Sequence, residues 1–359
     1  MSEVENEKTY FPLIDVLRFF AAISVMFFHY FSTYLNGGNL FNIWIKYGYL
    51  GVELFFIVSG FVIYFSISEN IKKYFIGRFV RLYPMFWVAC TITYITTIVF
   101  KYLDHQIISL PFYKYLFNLL IINNGKVANM IDGSYWTLTI EIMFYIYIGM
   151  FVLLFKKKNI SWFYYMWTLL TIIVFTFNLQ EFFISKLALV RYSPYFVFGG
   201  TLAILIEDYK NSKSVTTDKF FKLKNLIILL VTFLLPHYIN YKLQIHSTPS
   251  NNFGIFDTNG TIIIILIFVI ATLAVLISNR IKNRTIVNIA VTIGGMTYPI
   301  YLLHNKIGSL VIEYFAEFGR FNFASIFTST LIIFVSYILY KYEKPIRYDL
   351  KIKLEKMLN

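Results

Sequence analysis

Apolar residues gather along this chain into ten stretches, 11–32, 47–67, 82–102, 135–155, 160–178, 187–206, 225–240, 260–278, 296–316 and 323–342, separated by short polar segments. Most approach the roughly 20 residues that an α-helix needs to cross about 30 Å of hydrocarbon. The pattern therefore predicts an all-α integral membrane protein with about ten transmembrane helices. A further apolar run, 112–122 (FYKYLFNLLII), is too short to span and is expected to lie at an interface. No tandem repeat, low-complexity tract or Gly/Ser-rich linker divides the chain. Residues 1–359 read as one membrane domain, with 343–359 as a short basic tail forming a surface helix.

Composition strengthens this reading. Of 359 residues, 58% are hydrophobic, 20% aromatic and 14% charged, where a soluble domain carries roughly half apolar and a quarter charged residues. A water-soluble enzyme is excluded. The formal charge of +13 is explained by where the cations fall. With the N-terminus in the cytoplasm, 22 basic residues lie in inside segments and 7 outside, while Arg18, Arg191 and Lys306 fall within spans. That bias is the positive-inside signature, so both termini are expected in the cytoplasm and the charge implies no nucleic-acid partner. The opening MSEVENEKTY is acidic and lacks the basic start of a secretory signal, so the first stretch reads as a retained anchor. The single Cys90 excludes an intramolecular disulfide and a thiolate metal site.

Ionisable groups inside the spans cost at least about 2.5–3.5 kcal/mol each and need a reason. The first span holds Asp15, Arg18 and His29. Eleven residues at 100° each turn about 20° past three full circles and rise about 16 Å, so Arg18 and His29 share a helical face. Asp15 stands three residues before Arg18, where an ion pair forms; such a pair fixes helix packing or serves a site. The second span carries Glu53, then Ser59 and Gly60, small residues that suit close helix approach. In the fourth, Glu141 lies one turn before Tyr145 and shortly after Tyr135 and Trp136, so it either accepts a tyrosine hydrogen bond or takes part in chemistry. Arg78 and Arg81 share a face, with Lys72 and Lys73 about a turn before Arg78. They contact anionic lipid headgroups or form a phosphate clamp, for which the guanidinium fork is suited. Tyr83-Pro84 is expected at the entrance of the third span. The ninth span contains Pro299, expected to kink it, and His304. His237 and His246 lack a metal-ligand spacing, and no metal is expected. No phosphate-binding loop, dinucleotide fingerprint or HExxH occurs.

These segments together resemble acyltransferase family 3: Arg18, ten residues and then His29; GVELFFIVSGFVIYF; RFVRLYP; YWTLTIEIMFY; TYPIYLLH; and YEKPIR. The motifs run in the family's order from residue 12 to 347. The resemblance implies a multi-pass O-acyltransferase of the bacterial plasma membrane. Its donor would be acetyl-coenzyme A or another acyl-coenzyme A. Its acceptor would be a carbohydrate hydroxyl on capsule, exopolysaccharide, lipopolysaccharide, peptidoglycan or a macrolide sugar. By the same resemblance His29 is the essential histidine and Arg18 its motif partner. Arg78 and Arg81, with Lys72 and Lys73 beside them, meet the coenzyme, and Glu141 is the acidic residue of its motif. Glu53, Ser59, Tyr135, Trp136, Tyr145 and His304 occupy further motif positions. Thr137 and Thr139 stand where the family commonly has serine, and no appended esterase-like domain is expected.

The residue types suit that chemistry. A neutral imidazole, with an ordinary pKa of about 6.5, can take the proton of a sugar hydroxyl as it attacks a thioester. Glu141 is expected to orient that imidazole. A route in which His29 is itself acylated fits equally. The competing class is a transporter or a flippase of a lipid-linked sugar, since intramembrane Arg, Glu and His also mark translocation pathways. No inverted-repeat correspondence links 1–180 with 181–359. A non-catalytic scaffold leaves the cost of Arg18, Glu53 and Glu141 unexplained. The orientation is tested by Ser68→Cys in a Cys90→Ser background, which is expected to resist an impermeant thiol reagent in intact cells. Labelling there would invert the topology.

Overall fold

The structure, a computed structural model, describes residues 10–32, 40–105, 110–121, 130–211, 219–246, 257–278, 280–316 and 321–357. Lys8, Lys126, Lys213 and Arg320, counted above for orientation, lie outside the described residues. The chain forms α1 (Pro12–Phe31), α2 (Leu40–Lys46), α3 (Gly51–Ser66), α4 (Ile71–Leu103), α5 (Phe112–Leu119), α6 (Trp136–Phe155) and α7 (Ile160–Thr176). It continues with α8 (Phe183–Leu187), α9 (Ser193–Asn211), α10 (Lys219–His246), α11 (Thr258–Ser278), α12 (Arg284–Ala316) and α13 (Phe321–Met357). Among the described residues no strand occurs.

Nine of the described helices are long and apolar enough to cross a membrane: α1, α3 and its preceding turn, α4, α6, α7, α10, α11, α12 and α13. Their outward residues, such as Leu153, Leu169, Leu266 and Phe334, are apolar and exposed, as a surface solvated by lipid requires. The tenth expected span, 187–206, becomes α9. Its polar end carries Glu207, Asp208 and Lys210, yet residues 193–204 are buried throughout. It is the centre of its half of the bundle, wrapped by α3, α7 and α10. The α3–α9 approach is close enough for backbones to touch. A Cβ at Gly60 would stand 2.1 Å from the Phe196 carbonyl oxygen, and one at Gly199 only 1.9 Å from that of Ile57. Gly51 meets the Ala21 carbonyl in the same way, so the second-span glycines serve packing.

Two sequence readings are corrected. Pro84 does not open a helix: α4 begins at Ile71, where the Asn70 side chain accepts the Lys73 N–H at 3.1 Å, and runs through the proline. Proline removes one backbone donor; the cap and burial of Tyr74, Ile76, Val80 and Leu82 on the preceding turns hold the helix across it. The basic tail is likewise no separate surface helix, because α13 continues through Pro345 to Met357. α4 and α12 have 33 residues each and α13 has 37, so at 1.5 Å per residue they reach about 50–55 Å and overhang a hydrocarbon layer of about 30 Å. Asp15 and Arg18 of α1, Arg81 of α4, Gly294 of α12 and Arg347 of α13 border one cavity, which puts the overhangs and the start of α1 on the same side.

Gly199→Ala forces a methyl into the Ile57 carbonyl. It is expected to cost about 1–3 kcal/mol and to lower the thermal unfolding midpoint of the purified protein. An unchanged midpoint would show that α3 and α9 are not in backbone contact.

Candidate active site

α1 and α12 pack together along the bundle and carry the two histidines of the motifs. The ring centroids of His29 and His304 are 5.2 Å apart. His29 is exposed near the end of α1, whereas His304 is wholly buried. His304 Nδ1 lies 2.7 Å from the Tyr301 carbonyl oxygen. A carbonyl only accepts, so Nδ1 bears the hydrogen and Nε2 of the neutral ring is an acceptor. That Nε2 is buried and has no hydrogen-bond partner. The Tyr30 hydroxyl donates to the His304 carbonyl at 2.7 Å and locks the two helices at this level. Gly308 gives the Tyr30 ring room, since a Cβ there would stand 2.1 Å from its hydroxyl.

Beside the pair lies a carboxylate that the sequence reading did not single out. Asp132 is 0% exposed. It accepts from Ser134 N–H at 2.8 Å, Ser134 Oγ at 2.7 Å, Asn305 Nδ2 at 3.0 Å and Lys306 N–H at 2.8 Å. Four donors satisfy a charge that burial alone would penalise heavily. The result pins the loop before α6 to the α12 turn that follows His304. The signal was present in the sequence as Asp-Gly-Ser before a helix, where an aspartate side chain caps the chain turn.

On the other side of Tyr301 is a partly open pocket of about 630 Å³, bordered by Arg18, Ser59, Arg81, Thr137, Glu141 and Tyr298 among others. Glu141 accepts the Tyr145 hydroxyl, and the Arg78 guanidinium lies 5.6 Å from the Tyr145 ring centroid. Among the described residues Glu141 makes no hydrogen bond or ion pair with His29, so it does not hold the imidazole as expected. Arg18 pairs with Asp15 at 3.4 Å and still reaches the pocket. Arg81 makes neither a hydrogen bond nor an ion pair among the described residues, and Arg78 Nε is buried without a partner. The wall between pocket and histidines is Tyr301: its hydroxyl accepts from Thr137 at 2.9 Å and its ring centroid is 5.5 Å from that of His304. A second cavity of about 650 Å³ shares Arg18, Arg81 and Tyr298 with the pocket and extends to Glu343 and Arg347 of α13.

The remaining motif residues fall apart from one another. Tyr135 is buried, bonded to Thr93 at 3.3 Å and packed on Phe86; Trp136 packs on Tyr192 with centroids 5.7 Å apart. Glu53 sits in the first turn of α3 with a buried Oε2 that has no hydrogen-bond partner. Lys72 and Lys73 are exposed in the first turn of α4 and border neither cavity. The His246 side chain lies outside the described residues, and among those described no group of three or more His, Cys, Asp or Glu is placed to hold a metal.

Several known proteins are similar to this chain. A protein of Acidianus two-tailed virus, named for acetyltransferase activity, is similar at 24% identity over 309 residues, 83% of each chain. Nodulation protein 10 of Rhizobium leguminosarum bv. viciae is 26% identical over 165 residues, 40% of this chain and 44% of that protein. Peptidoglycan O-acetyltransferase OatA of Listeria monocytogenes is 30% identical over 168 residues, 42% of this chain and 25% of that protein. The chain thus matches most of the viral protein and less than half the length of the other two. No solved structure matches it. The acyltransferase domain of family 3 matches residues 11–341, a range that takes in both histidines, the arginines of α1 and α4 and the pocket between them. The chain belongs to acyltransferase family 3.

Proposed function

We propose that this membrane protein transfers an acyl group, acetyl above all, from an acyl-coenzyme A to a hydroxyl of an envelope or exported carbohydrate, and that residues 1–359 act as one domain in a bacterial plasma membrane. The observation that carries the reading is a continuous series of groups. Arg81, without an ion pair among the described residues, and Arg18, paired with Asp15, lead to Glu141 and Tyr301, the Tyr301 carbonyl holds His304, and the His304 ring packs at a tilt against exposed His29. Arginines at one end suit the phosphates of a cytoplasmic donor. An exposed imidazole at the other suits an acceptor approaching from outside. The O-acetyltransferase name of the Listeria relative favours acetyl and a glycan acceptor.

In this reaction a ring nitrogen of His29 takes the hydroxyl proton as the sugar oxygen bonds to the thioester carbonyl carbon. The carbon–sulfur bond then breaks, and the imidazolium returns the proton to the departing thiolate. The alternative order places the acyl group first on the imidazole, with release of the thiol, and then on the sugar oxygen. His304, fixed through Nδ1, packs against His29 and limits its ring orientations. Arg78 and Arg81 bind the coenzyme phosphates, with Lys72 and Lys73 contributing longer-range attraction from the surface. Glu141 shares the pocket with Arg18 and Arg81 and acts as their counter-charge there, held by Tyr145. Membership of an acyltransferase family favours group transfer over the transporter or flippase reading.

His29→Ala is expected to lower acetyl transfer from labelled acetyl-coenzyme A to membrane glycan by about 100-fold or more, with membrane abundance unchanged because the side chain is exposed. Transfer at the parental rate would overturn the assignment. Mass spectrometry of donor-loaded protein without acceptor separates the two orders: an acetyl adduct on His29 marks the carrier route, and an unmodified histidine marks the general base. Glu141→Gln keeps an acceptor for Tyr145. It is therefore expected to leave abundance and donor affinity nearly constant while kcat falls about 10- to 100-fold, the mark of an interaction made in the transition state. A kcat equal to the parent's would leave Glu141 a structural partner of Tyr145 alone.

A further inference from the structure

On the face where α4, α12 and α13 overhang, an open cleft of about 1090 Å³ lies between the first turns of α4 and the last turns of α13. Five cations border it: Arg78 and Arg81 from α4, and Lys344, Arg347 and Lys351 from α13. No carboxylate is among its lining residues. Acids at the margin compensate two of the five, Arg347 facing Glu343 at 3.6 Å and Lys351 facing Glu355 at 3.8 Å. Arg78, Arg81 and Lys344 make no ion pair among the described residues. Along α13 the seven-residue step from Lys344 to Lys351 returns to within about 20° of the same face, so the two lysines line one wall with their backbone positions about 10 Å apart along the helix axis. The excess of cations suits a multiply charged anion.

A second observation concerns shape. Gly77, in the interior of α4, borders the same cleft, and a Cβ built there meets nothing within 4 Å. Glycine in a helix interior is destabilising relative to alanine, and here no neighbour demands it. What its missing side chain preserves is the width of the cleft. Arg81 borders this cleft, the second cavity and the pocket that holds Glu141, so an occupant with a charged head and a long neutral arm fits the series with its head outermost.

We infer that the α13 overhang forms half of the donor-binding site, with Lys344 and Lys351 on the 3′-phosphate end of the coenzyme and Gly77 keeping the space that this end occupies. The inference rests on the acyl-coenzyme A reading above. It assigns a binding role to a basic helix end that the sequence alone presents as a surface tail. Anionic lipid headgroups share the phosphate chemistry and form the competing occupant.

The test uses full-length protein in neutral phosphatidylcholine nanodiscs, titrated calorimetrically with coenzyme A and with 3′-dephospho-coenzyme A. The parent is expected to prefer coenzyme A by about tenfold or more, as loss of charge-assisted hydrogen bonds implies. Lys344→Gln combined with Lys351→Gln is expected to erase that preference by weakening coenzyme A alone. Gly77→Leu, which alters no charge and whose Cβ meets no neighbour within 4 Å, is expected to weaken coenzyme A by about tenfold as well. Coenzyme A binding that all these variants leave intact overturns the inference while the donor reading stands. A parent that binds neither ligand overturns both. Should phosphatidylglycerol in the disc displace coenzyme A, the cations serve lipid headgroups and the assignment fails.

Discussion

Hydrocarbon offers no hydrogen bonds, and that constraint governs where every polar group of this protein stands. A carboxylate or imidazole carried into the bundle must find its partners within the protein. Asp132 meets the requirement with four donors drawn from its own loop and from α12. His304 meets half of it through Tyr301 and leaves Nε2 unsatisfied. Glu141 is held by Tyr145, and Arg18 by Asp15. Arg78 Nε, Glu53 Oε2 and His304 Nε2 are among the buried polar atoms of the described residues still without a hydrogen-bond partner. Buried groups left unsatisfied in this way are where a substrate has something to gain by binding.

Much of the membrane architecture was legible because span length is set by a physical thickness. α9 departed from the simple rule because it is covered by other helices rather than by lipid. A helix with protein neighbours tolerates polar ends that a lipid-facing helix does not. Pro84 and Pro345 misled for a related reason. Proline is read as a boundary when only local cost is counted, whereas caps and buried neighbours on both sides carry α4 and α13 across it.

The site was legible in its parts and not in its pairing. Helical periodicity put Arg18 and His29 on one face, and the family motifs named His304. That His29 faces His304 rather than Glu141 depends on how α1 crosses α12, a relation between residues 275 positions apart that no local pattern encodes. Asp132 went unnoticed because an aspartate before a helix is usually a surface cap. Here the same turn chemistry is buried and joins two elements of the site.

The pairing of α1 with α12 has a consequence for how the molecule works as a machine. α1 carries Arg18 to the pocket and His29 to the histidine pair, and α12 carries Tyr298 and Tyr301 to the one and His304 to the other. The two are fastened along their length, by Gly294 under Asp15, by Tyr30 on the His304 carbonyl and by Gly308 under Tyr30. Both ends of the reaction path therefore ride on one rigid spindle. A rocking motion that exposed first one side and then the other would have to unfasten it. On the acyl-coenzyme A reading proposed above, a fixed septum past which the donor's arm reaches beside Tyr301 serves the chemistry better than a rocking one.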